Sequence, residues 1–203
     1  MKIPGIPSQS VSIWRRCSSA AFALFCSLAI GQMLPASTLN LTQYVNPFIG
    51  TQACPSGNYG FTYTTGDVFP GADYPMGMFQ WSPDTTSNLP GGYNYDDSTI
   101  KGFSLTHFSG RGVSTYQDVP FMPYVGTVSA SPATSTMYQA GFSHSNESAS
   151  PGYYSVTLDS NIRVELTATL HTGAARFSFP SSTNSTIMVN SGGSVGPVMC
   201  SPE

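Results

Sequence analysis

The chain carries little charge: only 8% of its 203 residues are Asp, Glu, Lys or Arg, against 12% aromatic residues. That balance excludes a disordered tail, which is rich in charge and poor in aromatics, and is unlike a cytosolic helical protein. The basic footprint that nucleic acid requires is missing. His107, His144 and His171 are scattered, and Cys54 and Cys200 lie far apart, so no metal-ligand spacing is present. "SGRGVS" (109–114) lacks the lysine and helix of a phosphate-binding loop. No Gly-x-Ser-x-Gly elbow occurs. Beyond the first thirty residues there is no amphipathic helical stretch, internal repeat or low-complexity linker.

A long apolar run is also lacking. "SSAAFALFCSLAI" (18–30) is uncharged and mostly apolar but short for a membrane span. Behind Lys2, Arg15 and Arg16, and before the small residues "AIG" (29–31), it reads as a signal peptide over residues 1–31, with Gln32 as the mature start. A retained N-terminal anchor is the alternative. Neither Cys17 nor Cys26 sits in the small-residue pattern of a lipid-modified cysteine. Cleavage removes three of seven basic residues and no acidic one, leaving four against ten, a net charge of −6. The expected location is secreted or periplasmic, with no membrane attachment after cleavage. Cys54 and Cys200 then remain, and in an oxidising compartment they either pair or stay free.

What is abundant is turn and strand material: 20 Gly, 16 Pro, 11 Tyr and 12 Phe. "MFQWS" (78–82) reads as a strand ended by Pro83-Asp84. "IKGFSLTHF" (100–108) alternates, with Lys101, Phe103, Leu105 and His107 on one face. "VPFMPYVGTVSA" (119–130) is a strand that Pro120 and Pro123 confine to an edge or an irregular path. The clearest hairpin joins "YYSVTL" (153–158) to "IRVELTATL" (162–170) through "DSN" (159–161). "ARFSF" and "TIMVN" supply two more strands. Strand after strand without helices predicts an all-β fold, an antiparallel β-sandwich. The chain stops soon after a strand, so the sandwich is expected to be incomplete at its C-terminal end, with an open strand edge.

The densest chemistry lies in "GGYNYDDSTIKGFSLTHFSGRGVSTYQD" (91–118). Glycoside hydrolysis needs two acids facing each other roughly 5 to 9.5 Å apart. Asp96 and Asp97 are neighbours, which on a strand point to opposite faces, so they form a turn with Ser98 and Thr99 or contact a sugar singly. His107 is either a half-buried histidine bonded to backbone or a polar group aimed at a cleft. Arg111 either holds Asp118 in a bidentate pair or reaches ligand hydroxyls. Tyr93 and Tyr95 share a face, with apolar rings packed and hydroxyls wet. Trp81 reads as core.

"YVNPFIGTQ" (44–52), "GDVFPGADYPMGMFQWSPDT" (66–85), "GGYNYDDSTIKGFSLTHFSGRG" (91–112), "YQDVPFMPYVG" (116–126), "FSHSNESASPGYYSVTL" (142–158) and "ELTATLHTGAARFSFP" (165–180) form an ordered series. Together they resemble the N-terminal domain of glycoside hydrolase family 92, secreted calcium-dependent inverting α-mannosidases. The resemblance implies a short linker (32–43), then an N-terminal β-sandwich (44–203), truncated, whose partner is a missing C-terminal (α/α)6 catalytic domain. It implies that the catalytic acid, base and calcium ligands lie in that barrel, so no catalytic or metal residue and no cofactor is assigned to this chain, which is expected to be inactive alone. Mannose-containing glycans are the implied ligands. The sandwich would wall the active-site cleft through residues 69–77 and 93–118, with Tyr93, Tyr95, Asp96, Asp97, His107, Arg111 and Asp118 as contact candidates. Some relatives carry a tryptophan before the Gly-Tyr-x-Tyr segment; "TTSNLPGGYNY" has none, and Val113 interrupts an otherwise polar loop. A free-standing carbohydrate-binding module and a purely structural interface domain are the alternatives.

Overall fold

The computed structural model describes residues 39–53, 65–87, 89–110, 117–131 and 136–190. They contain nine strands: β1 Ala72–Asp73, β2 Gln80–Thr85, β3 Thr99–Ser104, β4 Phe121–Val125, β5 Ala140–Ser150, β6 Tyr153–Leu158, β7 Arg163–Ala168, β8 Gly173–Ser178 and β9 Ser185–Val189. Helix among the described residues is limited to two 3-10 turns, Leu41–Tyr44 and Thr136–Tyr138. Pairing is antiparallel throughout, in the order β1-β2-β3-β5-β6-β7-β8, with β4 joined to β3 and β9 joined to β4. The path folds back on itself, so that β1 and β2 pack against β7. This is the all-β sandwich that the sequence predicts.

The β6–β7 hairpin shows why. Its register runs from Tyr153↔Thr167 to Thr157↔Arg163. Tyr154, Val156, Leu158, Ile162, Val164 and Leu166 all fall on the inner face and are almost completely buried. Each such side chain contributes roughly 1.5–3 kcal/mol by leaving water. The turn closes through Asn161 N–H to Leu158 O at 2.8 Å, with Asn161 at φ 60°, a left-handed conformation that asparagine tolerates. Trp81 is core as expected: its indole N–H donates to Phe103 O at 3.0 Å and its ring lies 5.3 Å from Phe121.

Three strand expectations are corrected. β2 does not end at Pro83-Asp84 but runs through both to Thr85, because Pro83 pairs with Phe103 and Asp84 turns inward. β3 ends at Ser104, so His107 lies beyond the strand rather than on its Phe103 face. β4 is irregular on one side, touching β3 only at Phe103↔Phe121, yet it pairs with β9 along its length and so lies between two strands. The longest strand, β5, was not evident in "AGFSHSNESAS". From Phe142↔Leu158 to Glu147↔Val156 it advances five residues while β6 advances two. This wide bulge breaks the alternation and aims Glu147 inward.

Candidate functional site

Residues 91–97 lie across the sheet as a loop pinned by backbone. Thr85 N–H donates to Gly92 O at 2.9 Å, and Tyr95 N–H donates to Thr51 O at 3.0 Å. Gly91 and Gly92 have φ of 88° and 78°, the region where a Cβ is disfavoured. Space also demands glycine here. A Cβ on Gly91 would sit 2.9 Å from Val68 O, and one on Gly92 would sit 2.7 Å from the His107 ring.

Two buried polar anchors hold this loop and the strands beneath it. In the first, the His107 and Asp84 side chains are fully buried. His107 Nδ1–H donates to Gln80 O at 2.8 Å, and Nε2 meets Asp84 Oδ1 at 2.9 Å. Ser104 Oγ donates to the other Asp84 oxygen. The Phe69 ring lies 5.1 Å from the imidazole. Between two acceptors and with no exposure, His107 is a brace that ties the chain beyond β3 to β2.

In the second anchor, the Glu147 side chain is 1% exposed. It accepts hydrogen bonds from Tyr93 Oη at 2.8 Å, Tyr154 Oη at 2.6 Å and His144 Nδ1 at 2.8 Å. Burial, reinforced by the Glu147 charge, holds both phenols well above the ordinary tyrosine range. The His144 ring stacks on Tyr95 with centroids 3.9 Å apart, 10° from parallel. Tyr93 is therefore corrected: its hydroxyl is not wet but sits on a buried carboxylate. Glu147, His144 and Asp84 were not among the sequence candidates. The spacing of His144 and Glu147 was the one local signal; the Asp84–His107 contact spans 23 residues and has none.

The remaining candidates are placed as follows. Asp96 Oδ1 accepts from Gln52 Nε2 at 3.1 Å, and Oδ2 accepts from Ala53 N–H at 3.1 Å. Asp97 accepts from Ser87 N–H at 2.8 Å and from the Ser87 hydroxyl. Both lie in a turn and just after it rather than on a strand, and both tie neighbouring loops together. Asp118 is exposed and exchanges hydrogen bonds with Thr106 at 3.1 and 3.2 Å. Arg111, Cys54, Cys200 and the signal segment lie outside the described residues. Among the described residues, no three His, Cys, Asp or Glu side chains converge to hold a metal ion.

Positive-φ backbone recurs around this loop, as it does elsewhere at Met76, Gly126, Gly152 and Asn161. Gly50, Asp67, Gly91, Gly92, Gly110 and Val119 all have positive φ. Gly66 N–H donates to Gly50 O at 2.7 Å, Gly110 N–H to Asp67 O at 2.7 Å, and Leu105 N–H to Asp118 O at 3.1 Å. Val119 at φ 52° is notable because β-branched residues resist that region. Among the six, only Asp67 and Val119 are non-glycine residues held in that region.

Fold and loop cluster together define an all-β sandwich domain. The model of the glycosyl hydrolase family 92 N-terminal domain matches residues 44–198, and the chain belongs to that family. An α-mannosidase of family 92 from Bacteroides thetaiotaomicron superposes with a TM-score of 0.63 at 38% identity, over 74% of this chain and 20% of its own. A family 92 inverting mannosidase from the same organism gives 0.58 at 29% identity, over 73% and 19%. An uncharacterized secreted glycosidase of Arthroderma benhamiae is 27% identical over 146 residues, 70% of this chain and 18% of that protein. The chain therefore spans about a fifth of the length of these relatives.

Proposed function

We propose that this domain is a non-catalytic wall of the glycan-binding cleft in a secreted family 92 α-mannosidase. The accessible parts of residues 91–97 and 105–110, namely 95–97 and 108–110, face the sugar. The parent reaction is hydrolysis of α-mannosidic bonds with inversion, and its acid, base and calcium belong to the rest of the polypeptide. The observation that supports this reading is the convergence of positive-φ backbone on a loop anchored from two sides. Such a surface offers fixed backbone groups and the partly exposed Tyr95 ring to a ligand. Every acid named above is already bonded internally, which suits positioning and not proton transfer.

The test is chemical-shift mapping of the 203-residue chain titrated with α-mannobiose, with released mannose assayed in parallel. Weak binding, with Kd on the order of 10 mM, confined to amides of residues 91–110 and without turnover, is expected. Measurable hydrolysis would overturn the non-catalytic reading. Absence of any shift would favour the purely structural domain, a reading that the internal bonding of Asp96, Asp97 and His107 also fits. Micromolar binding would favour a free-standing module.

A further inference from the structure

A second concave site lies where the sheet divides. β4 and β5 share one edge of β3, with β5 at Thr99 and Ile100 and β4 at Phe103 alone. From Phe121 onward β4 follows β9 instead, so it parts from the start of β5. The gap is a cavity of about 230 Å3, half open to solvent. Pro123–Val125 line one side and Tyr138–Gly141 the other, with Ser160 of the β6–β7 turn at the mouth.

The walls are fixed by bonds that leave the cavity clear. Gln139 N–H donates to Thr136 O at 3.1 Å, and Asp159 N–H donates to Gly141 O at 2.8 Å. The Tyr138 hydroxyl donates to Ala130 O at 2.7 Å and accepts from Ala130 N–H at 3.0 Å, so the ring is what the cavity meets. The Tyr124 ring stands edge-on to it, with centroids 5.0 Å apart. A Cβ on Gly141 would overlap Asp159 Oδ2, so glycine lets that carboxylate lie at the rim.

The chemistry of this lining selects a ligand. It offers two aromatic rings, the Gln139 carboxamide and the Ser160 hydroxyl, and no cationic side chain. Among the described residues, the side chains of Gln139 and Ser160 hydrogen-bond to no other. Amide and hydroxyl each donate and accept, and the Asp159 carboxylate accepts. A sugar ring presents the complement: hydroxyls that donate and accept around its edge, and C–H groups on its face for an aromatic ring. An anion would be repelled by Asp159, and an apolar ligand would leave the amide unpaired. The volume lies below the ~300–1,000 Å3 of sites for drug-sized ligands, which sets the occupant at one ring.

We propose that this cavity is a second, non-catalytic carbohydrate site that takes a single pyranose ring of a glycan. The ring lies against Tyr124, with its hydroxyls on Gln139, Ser160 and Asp159. A branched glycan held there keeps its other arms at raised local concentration. No lining residue falls in 95–97 or 108–110, so the proposal stands apart from the cleft reading.

The test maps amide shifts of the 203-residue chain titrated with methyl α-mannopyranoside to about 100 mM, with tetramethylammonium chloride as the comparison. Saturable shifts are expected at residues 124, 125, 139–141 and 160, with Kd on the order of 10 mM, and none with tetramethylammonium. Q139A/S160A should weaken binding about tenfold. Both positions reach solvent, so the fold is retained. The control S181A, exposed and outside the lining, should keep the native Kd. Silence at these amides, or an equal Kd in Q139A/S160A, overturns the proposal. So do shifts there with tetramethylammonium, since the rings and Asp159 would then hold a cation. Shifts confined to 95–97 and 108–110 would support the cleft reading and overturn this one.

Discussion

Glu147→Ala removes the acceptor at the centre of the second anchor. Tyr93 and Tyr154 are both fully buried, and both hydroxyls donate to this carboxylate. Each orphaned buried donor costs about 1–3 kcal/mol, so the two together cost roughly 2–6 kcal/mol. The His144 side chain is 30% exposed, and water replaces its lost partner at little cost. The change is a large part of the ~5–15 kcal/mol that holds a typical domain together. Glu147→Gln keeps one oxygen, but its amide then faces hydroxyls that must turn to accept, so it costs less, about 1–3 kcal/mol. Tyr93→Phe leaves Glu147 with Tyr154 and His144 and costs about 1–2 kcal/mol. Urea unfolding followed through the buried Trp81 measures all three. A double-mutant cycle between Tyr93→Phe and Glu147→Gln should give a coupling of about 1–2 kcal/mol. A loss below about 1 kcal/mol for Glu147→Ala, or strict additivity in the cycle, would refute the anchor.

The same pair of phenols sets an alkaline limit. Their ionisation is raised in the folded state, chiefly by burial. In the unfolded chain they ionise near pH ~10. Their contribution is therefore complete below about pH 10 and declines as pH rises above it. Urea midpoints between about pH 8 and 11 should fall more steeply for the native sequence than for Y93F/Y154F, and equal slopes would contradict the assignment. At the loop itself, Gly92→Ala and Gly110→Ala separate strain from collision. Both positions have positive φ, but a Cβ at residue 110 meets nothing within 4 Å, whereas at residue 92 it strikes His107 and Gln117. Gly110→Ala should cost about 1 kcal/mol and Gly92→Ala about 2–3 kcal/mol, and equal losses would mean that His107 is free to move.

Sequence legibility followed the range of the interaction. The β6–β7 hairpin was readable because its signal is local: period-two alternation of large apolar residues and a three-residue turn. β5 was hidden because its inward positions beyond the bulge are Glu147 and Ala149, and a glutamate does not read as core. Its burial depends on three donors, two of them at Tyr93 and Tyr154, 54 and 7 residues away. The His107 environment failed for a related reason. Proline followed by aspartate reads as a strand end, yet Asp84 stays in β2 because His107 and Ser104 satisfy its carboxylate. Buried polar pairs of this sort are set by tertiary contact and leave little trace in one sequence.

The internal bonding of the acids also bears on the proposed non-catalytic role. A glycosidase requires two carboxyl groups free to face the sugar across the scissile bond. Asp84 and Glu147 are buried against His107 and against two tyrosines and a histidine. Asp96 and Asp97 hold backbone and side-chain donors from residues 52, 53 and 87. Releasing any of them to a ligand would orphan the donors it now satisfies, which opposes a role as proton carrier. The positions of Gly91, Gly92 and Tyr95, by contrast, depend on those bonds. On the proposed cleft reading, the acids of residues 84–147 would act on a glycan only through the shape of the loop. If that reading holds, substituting them should alter glycan affinity through that shape.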